Sequence, residues 1–476
     1  MRYAPPGACL NDFAVVEGPA YVLLHLQAPW VEHPDVSLLE TTYGRAVSHD
    51  LVRWEPLAPS FGVGAPGAFD DTSVWTMHPL RVGDGWTMAY TGVHDDGDKR
   101  QAVGLARTDT DDASGWRRVP DVVVRPDARW YRTGPEEAWR DPWIVQPEGG
   151  LFGCRYAMLV CARIADGPVE DSGCVGLAVS DDLEHWTVRP PLLVPGDIDE
   201  LECPVLERVE GGWLLLGSVG SSHHIEAWRA DRLDGDWERL GPLAPPGPYA
   251  PRLVDGPGGE RLLLHTVRRR TGLDDGGTPC RGMLAQPKVL VTGPRGRPRL
   301  GWWRGIEPYL GPATDPGDQV WNAVVDAVPA GGPARVVLRG GSGFTVDVTA
   351  DRLRVRVGAD GPVQETVLAR PVERLRALLF GEYLELYADG EFVACATSYG
   401  RAPGACRART GDGHPLDVRV RPLRDPYADR DDVSVALRPE ACGAQPLAAA
   451  QAAAATPAAV PTHTRPEPAR PRGGAD

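Results

Sequence analysis

The sequence predicts an all-β protein in two parts, a five-bladed β-propeller followed by a C-terminal β-sandwich, and three observations carry that prediction. Aromatic-led apolar strands recur at 21–27, 86–92, 156–162 and 213–219, with a fifth, led by Arg, at 261–267. Most of them are followed by a second signature, at 46–57, 104–119, 176–188 and 226–240, in which small residues lead into a polar turn and a closing Trp. After about residue 320 the repeat gives way to short segments that alternate apolar and polar residues.

Each repeat has the content of one four-stranded sheet, and repetition at roughly 50–70 residues per unit is the mark of a propeller. Trp54, Trp116, Trp186 and Trp237 close the polar turns and are expected to pack between neighbouring sheets. An irregular sandwich with coincidental Trp placement is the alternative. The Pro/Gly-rich passage at 302–318 has turn chemistry and marks a boundary, so residues 1–312 are assigned to the propeller and 313–440 to the sandwich. Within the second part, 334–340, 344–350, 352–358, 374–380, 382–400 and 416–423 read as strands, with Asp389-Gly390 as a hairpin turn. The remaining 441–476 is an Ala/Pro-rich tail that cannot bury a core and is expected to be disordered.

Composition narrows the function. Asp+Glu 65 against Lys+Arg 50 leaves a net charge of −15, which opposes nucleic-acid phosphates and anionic membranes and suits a small neutral substrate such as a carbohydrate. The first residues, MRYAPPGACLND, lack the apolar stretch of an export signal, and no run of about 18 apolar residues occurs, so a cytoplasmic protein is expected. Nine cysteines form neither a CxxC pair nor a dense framework and read as reduced, buried thiols. Oligomeric state is not legible.

Three acidic motifs carry the chemistry: Asn11-Asp12, Trp139-Arg140-Asp141-Pro142 and Glu202-Cys203-Pro204. Asp12 precedes the first aromatic strand, Asp141 the third and Glu202 the fourth, and the innermost strands of a propeller line one funnel. Three carboxylates from comparable places in different blades would therefore meet. Such a group suits chemistry at an acetal: a retaining glycosidase needs a nucleophilic carboxylate and a carboxylic acid about 5–5.5 Å apart.

With these motifs the chain resembles glycoside hydrolase family 32, the invertase and fructanase group, over both folded parts. Asn11-Asp12 is similar to the start of that family's Asn-Asp-Pro-Asn-Gly, and Gly44-x-Ala46-x-Ser48-x-Asp50-Leu51-x-x-Trp54 resembles its next segment. Trp75-Thr76 looks like the first half of its Trp-Thr-Gly-Ser, with Met77 and His78 in the other two places. Arg140-Asp141-Pro142 and Glu202-Cys203-Pro204 resemble its Arg-Asp-Pro and Glu-Cys-Pro motifs in full, Tyr249-Ala250-Pro251 its Tyr-Ala-Pro, and 281–290 its closing blade, with Lys288 where Arg is usual. The resemblance implies a fructosidase with Asp12 as nucleophile, Glu202 as acid/base and Asp141 as transition-state stabiliser. It implies further that Asn11, Gln27, Trp75, Arg140 and Tyr249 contact the substrate, without cofactor or metal.

Other readings stay open. A sugar acceptor would make the same site a fructosyltransferase, an inverting mechanism would place it with arabinanases and xylosidases, and loss of catalysis would leave a carbohydrate-binding protein. His223-His224 is not expected to bind metal, because neighbours on a strand point to opposite faces. Arg268-Arg269-Arg270 is expected to be a solvated loop.

Overall fold

The computed structural model describes residues 2–436 except 30–35, 271–273, 278, 294–295, 341–342, 359–360, 362 and 400–401. The expected tail at 441–476 lies outside the described residues. Strands dominate, and they form the predicted five blades and sandwich.

Blade I consists of β1 (Ala8–Glu17), β2 (Tyr21–Pro29), β3 (Thr42–Ser48) and β4 (Glu55–Gly62). Blade II contains β5 (Ser73–Val82), β6 (Gly85–Asp95), β7 (Lys99–Thr108) and β8 (Arg117–Val124). Blade III has β9 (Trp139–Val145), β10 (Tyr156–Arg163), β11 (Gly173–Ser180) and β12 (Thr187–Leu193). Blade IV has β13 (Leu201–Val209), β14 (Gly212–Val219), β15 (His224–Ala230) and β16 (Glu238–Pro242). In each blade consecutive strands are antiparallel neighbours, and the aromatic-led segments of the sequence are the second strands.

Blade V departs from this plan. Its inner strand β17 (Pro248–Asp255) pairs with β18 (Arg261–Arg270), but the third position is shared by β19 (Pro279–Leu284) and β20 (Lys288–Thr292), before β21 (Pro298–Trp302). The split lets β19 reach blade I, through Leu10↔Gly282 and Tyr3↔Leu284, and so helps close the ring. Gly282 is required there: a Cβ would fall 1.7 Å from the Val267 carbonyl oxygen.

The polar turns of blades I and III are built from one local device. Ser48 Oγ accepts from the Leu51 amide at 2.8 Å and Asp50 Oδ1 from the Val52 and Arg53 amides at 2.9 Å. In blade III, Ser180 Oγ accepts from Leu183 at 2.9 Å and Asp182 Oδ1 from Glu184 and His185 at 2.8 Å. Both leucines adopt positive φ, 58° and 66°, held by these bonds. Trp116 then packs in a core shared by blades I and II, and Trp186 against one shared by blades II and III, as the sequence implies.

The sandwich stacks two five-stranded sheets. One runs β31 (Val418–Pro422), β22 (Ala323–Ala327), β27 (Leu375–Phe380), β28 (Tyr383–Ala388) and β29 (Glu391–Thr397). The other runs β26 (Val363–Val367), β25 (Arg352–Val357), β24 (Phe344–Val348), β23 (Ala334–Leu338) and β30 (Arg407–Thr410). Alternating burial in β24 and β25 gives the sandwich its own apolar core. Asp389-Gly390 makes the hairpin between β28 and β29, at φ 50° and 85°.

The first sheet of the sandwich continues from the propeller through Gly301↔Glu391. Buried ion pairs lock the junction: Lys288 to Glu385, and Glu382 between Arg2 at 2.5 Å and Arg269 at 3.2 Å. The solvated-loop expectation for Arg268-Arg269-Arg270 is therefore corrected. These residues end β18, the sandwich covers them, and Arg269 is 1% exposed.

Candidate active site

The five inner strands share a structural irregularity at the funnel. A register shift falls between Leu10 and Phe13 in β1, between Trp75 and Met77 in β5, and between Glu202 and Val205 in β13. The same shift spans Arg140 to Trp143 in β9 and Tyr249 to Arg252 in β17. A bulge leaves residues unpaired and re-aims their side chains. Here the residues at the bulges are Asn11-Asp12, Trp75-Thr76, Arg140-Asp141, Glu202-Cys203 and Tyr249-Ala250. Asp141, Cys203 and Ala250 hold φ near +60°, +50° and +52°, each followed by proline, whose missing amide cannot join the ladder anyway.

Bonds between adjacent blades hold these bulges in place. The Thr76 hydroxyl donates to Asp12 Oδ2, linking blades I and II. The Asp141 amide donates to Thr91 Oγ1 at 3.0 Å, the Cys203 amide to Asp141 Oδ2 at 2.9 Å and the Ala250 amide to Ser218 Oγ at 2.9 Å. Backbone that the bulges remove from the ladder is thus satisfied by the neighbouring blade.

A cavity of about 280 Å³ opens at this point, and Asn11, Asp12, Trp75, Arg140, Asp141, Glu202 and Tyr249 all line it. Of the substrate-contact residues named from the sequence, Gln27 alone lies outside the lining: its amide donates to Thr42 Oγ1 at 3.1 Å, one layer behind. Trp75 is oriented by its indole N–H, which donates to the Ser37 carbonyl at 2.9 Å. His78 stands apart from the cavity, buried, stacked on Trp143 at 3.9 Å, and accepting the Ile144 amide at 3.0 Å.

The electrostatics are those of crowded carboxyl groups. Oxygens of Asp12 and Asp141 lie within 4.8 Å of each other, with the Cys203 sulfur equally near. Burial pushes the Asp141 carboxyl up to about 7; Asp12 and Glu202 push the same way, against Arg140. Glu202 is gripped from two sides, by Arg140 Nη2 on Oε1 and by the Tyr249 hydroxyl on Oε2. Burial, with the Glu202 carboxylate beside it, keeps the Tyr249 phenol protonated and donating.

Several functional side chains escaped the sequence reading. Glu200 holds Arg140 in a two-point bridge at 3.1 and 2.6 Å and meets Arg163 at 2.9 Å, so Arg140 is fixed from behind. Glu137 and Gln101 also line the cavity, with Glu137 Oε1 accepting the Gln101 amide at 2.9 Å. Glu200 lies two residues ahead of Glu202. In extended chain that spacing puts side chains on one face. This period of two was the available signal.

A propeller whose funnel gathers carboxyl groups from three blades has the acidic groups that a glycoside hydrolase requires. Residues 19–227 match the glycosyl hydrolases family 32 N-terminal domain. Over these residues the chain carries that family's N-terminal domain. Asp12 and Tyr249 fall outside the matched span and are placed by the fold.

Solved structures agree across nearly the whole chain. Sucrose-6-phosphate hydrolase from Lactobacillus gasseri superposes with a TM-score of 0.71 at 18% identity, covering 90% of this chain and 93% of that one. The β-fructofuranosidase of Bombyx mori gives 0.69 at 17%, with 89% and 94% covered. Fructan 1-exohydrolase IIa from Cichorium intybus gives 0.68 at 15%, with 89% and 97% covered.

Proposed function

We propose that this protein is a retaining β-fructosidase acting on a small fructoside. The observation that carries the reading is the meeting of Asp12, Asp141 and Glu202 in one cavity, each on the inner strand of a different blade. The family 32 N-terminal domain match and the fold shared with fructoside hydrolases support it.

In this reading Asp12 attacks the anomeric carbon while Glu202 gives its proton to the leaving oxygen, forming a covalent fructosyl-enzyme. Thr76 fixes the Asp12 carboxylate by donating to the oxygen not used in attack. Glu202 then takes a proton from water, which releases the sugar. Tyr249 and Arg140 hold Glu202 in place throughout. Asp141, between the two, binds ring hydroxyls, and those bonds tighten as positive charge develops on the ring. Trp75 supplies the apolar floor, and Asn11 a hydroxyl contact.

NMR of the first-formed product tests this: retention at the anomeric carbon is expected, and inversion is incompatible with an Asp12 adduct. Product analysis with sucrose alone separates hydrolysis, which gives free fructose, from fructosyl transfer, which gives longer oligomers. No helix among the described residues is long and apolar enough to cross a membrane.

A further inference from the structure

We propose that a second cavity, between blade V and the sandwich, binds a small organic anion that carries a phosphate or a carboxylate beside an apolar flank. The cavity has a volume of about 400 Å³, within the usual range for small-molecule sites. Charge is the first argument. Arg268, Arg269, Arg270 and His223 line it, with no Asp or Glu among the described lining residues, in a chain whose acids outnumber its bases by 65 to 50.

Arg268 is the distinctive member. Arg269 is committed to Glu382, and Arg270 donates to the Gly277 carbonyl at 2.8 Å. Arg268 has no carboxylate partner among the described residues: its Nη1 donates to His223 Nε2 at 2.8 Å, and its guanidinium lies over the Tyr249 ring at 5.1 Å. A histidine that accepts from arginine is neutral, and burial, aided by Arg268, lowers the His223 pKa as that role requires. Arg268 therefore presents an uncompensated cation to the cavity, and a half-buried cation favours an anionic partner.

The facing wall tells what else the ligand carries. Val355, Val357 and Val363 of the sandwich are apolar, and Val363 is half exposed. Near them the buried Tyr383 hydroxyl, beside the Cys395 thiol, offers a polar atom to a ligand oxygen. One polar anionic end and one apolar side fit this arrangement. The site is separate from the catalytic cavity, from which Tyr249 and His223 divide it, stacked edge-on at 5.7 Å.

The test is calorimetric titration of the full chain with a hexose monophosphate, the corresponding hexuronate and the neutral hexose. Either anion is expected to bind at least about tenfold more tightly than the neutral sugar; whichever anion binds better identifies the charged group. That preference should disappear in Arg268→Gln and persist in Asp12→Asn, which alters the catalytic cavity alone. Val363→Glu covers the case in which Arg268→Gln folds poorly: it puts a negative charge at the half-exposed mouth, should abolish anion binding, and should leave fructoside hydrolysis unchanged. Equal binding of charged and neutral sugars overturns the proposal. So does a preference that survives Val363→Glu and is lost in Asp12→Asn, because the anion would then sit in the catalytic cavity.

Discussion

The catalytic cavity and the interdomain cavity lie on opposite sides of Tyr249 and carry opposite charge. The first is lined by Asp12, Glu40, Glu137, Asp141, Glu200 and Glu202, with Arg140 as the single arginine among its described lining residues. The second has three arginines and a histidine and no acid among its described lining residues. The difference follows from where each draws its side chains. The catalytic cavity collects the bulged inner strands of the blades, whereas the interdomain cavity is built from the end of β18 and the sandwich strands that cover it. A propeller can thus hold two separate electrostatic environments a few residues apart, one pooled at its axis and one made at its rim.

Substitutions on the acidic side should have the largest effects. Asp12→Asn is expected to lower kcat on a fructoside by about 10⁴-fold, as loss of a nucleophile does elsewhere; a variant retaining a tenth of the wild-type rate would remove Asp12 from that role. For Glu202→Gln a fall of about 10²–10⁴-fold is expected, smaller for substrates whose leaving group needs no proton. Steady-state kinetics with an activated and an unactivated fructoside measures both. Neither change should alter anion binding in the interdomain cavity.

Asp141 makes the acidic cavity sensitive to pH in its stability as well. Its carboxyl, near 7 in the folded protein against 3.8 ordinarily, keeps a proton that the unfolded chain has already released. Stability from this group is present in full below pH 3.8 and is lost as pH rises toward 7. Asp141→Asn should flatten that part of the Tm-versus-pH curve and raise Tm at pH 8. A wild-type curve that already is flat over this window would show that the crowding is relieved in solution.

At the rim, the effect is on stability alone. Lys288→Met should cost about 3 kcal/mol because it leaves Glu385 buried without its cation. The double change Lys288→Met with Glu385→Leu should recover most of that loss, as read by denaturant unfolding. Tyr249→Phe, in the shared wall, should have the smallest effect. It removes a donor that favours the charged form of Glu202, so the alkaline limb of kcat/KM should move up by less than about one pH unit.

Much of the architecture was legible because it depends on local chemistry. The four aromatic-led strands and the Arg-led fifth became the second strands of five blades, and the two Ser-x-Asp-Leu turns recur because one hydrogen-bonding device builds each. Strands β22, β26 and β30 were missed. β26 and β30 are sheet edges only five and four residues long, and β22 is short in a Pro/Gly-rich context, so their pairing comes from neighbours distant in sequence.

The site divides in the same way. The residue types at Asp12, Asp141 and Glu202, and their comparable places in different blades, were open to reading from the chain alone. Their convergence, the grip of Glu200 on Arg140 and of Tyr249 on Glu202, and the withdrawal of Gln27 and His78 from the cavity were decided by tertiary structure. So was the fate of Arg268-Arg269-Arg270: a basic run reads as solvated until another domain covers it. The physical reason is common to all of these. Propensity, turns and hydrophobic period act within a few residues and are written in the sequence, whereas burial, charge pairing and the protonation of Asp141 depend on which distant groups the fold brings within a few ångströms.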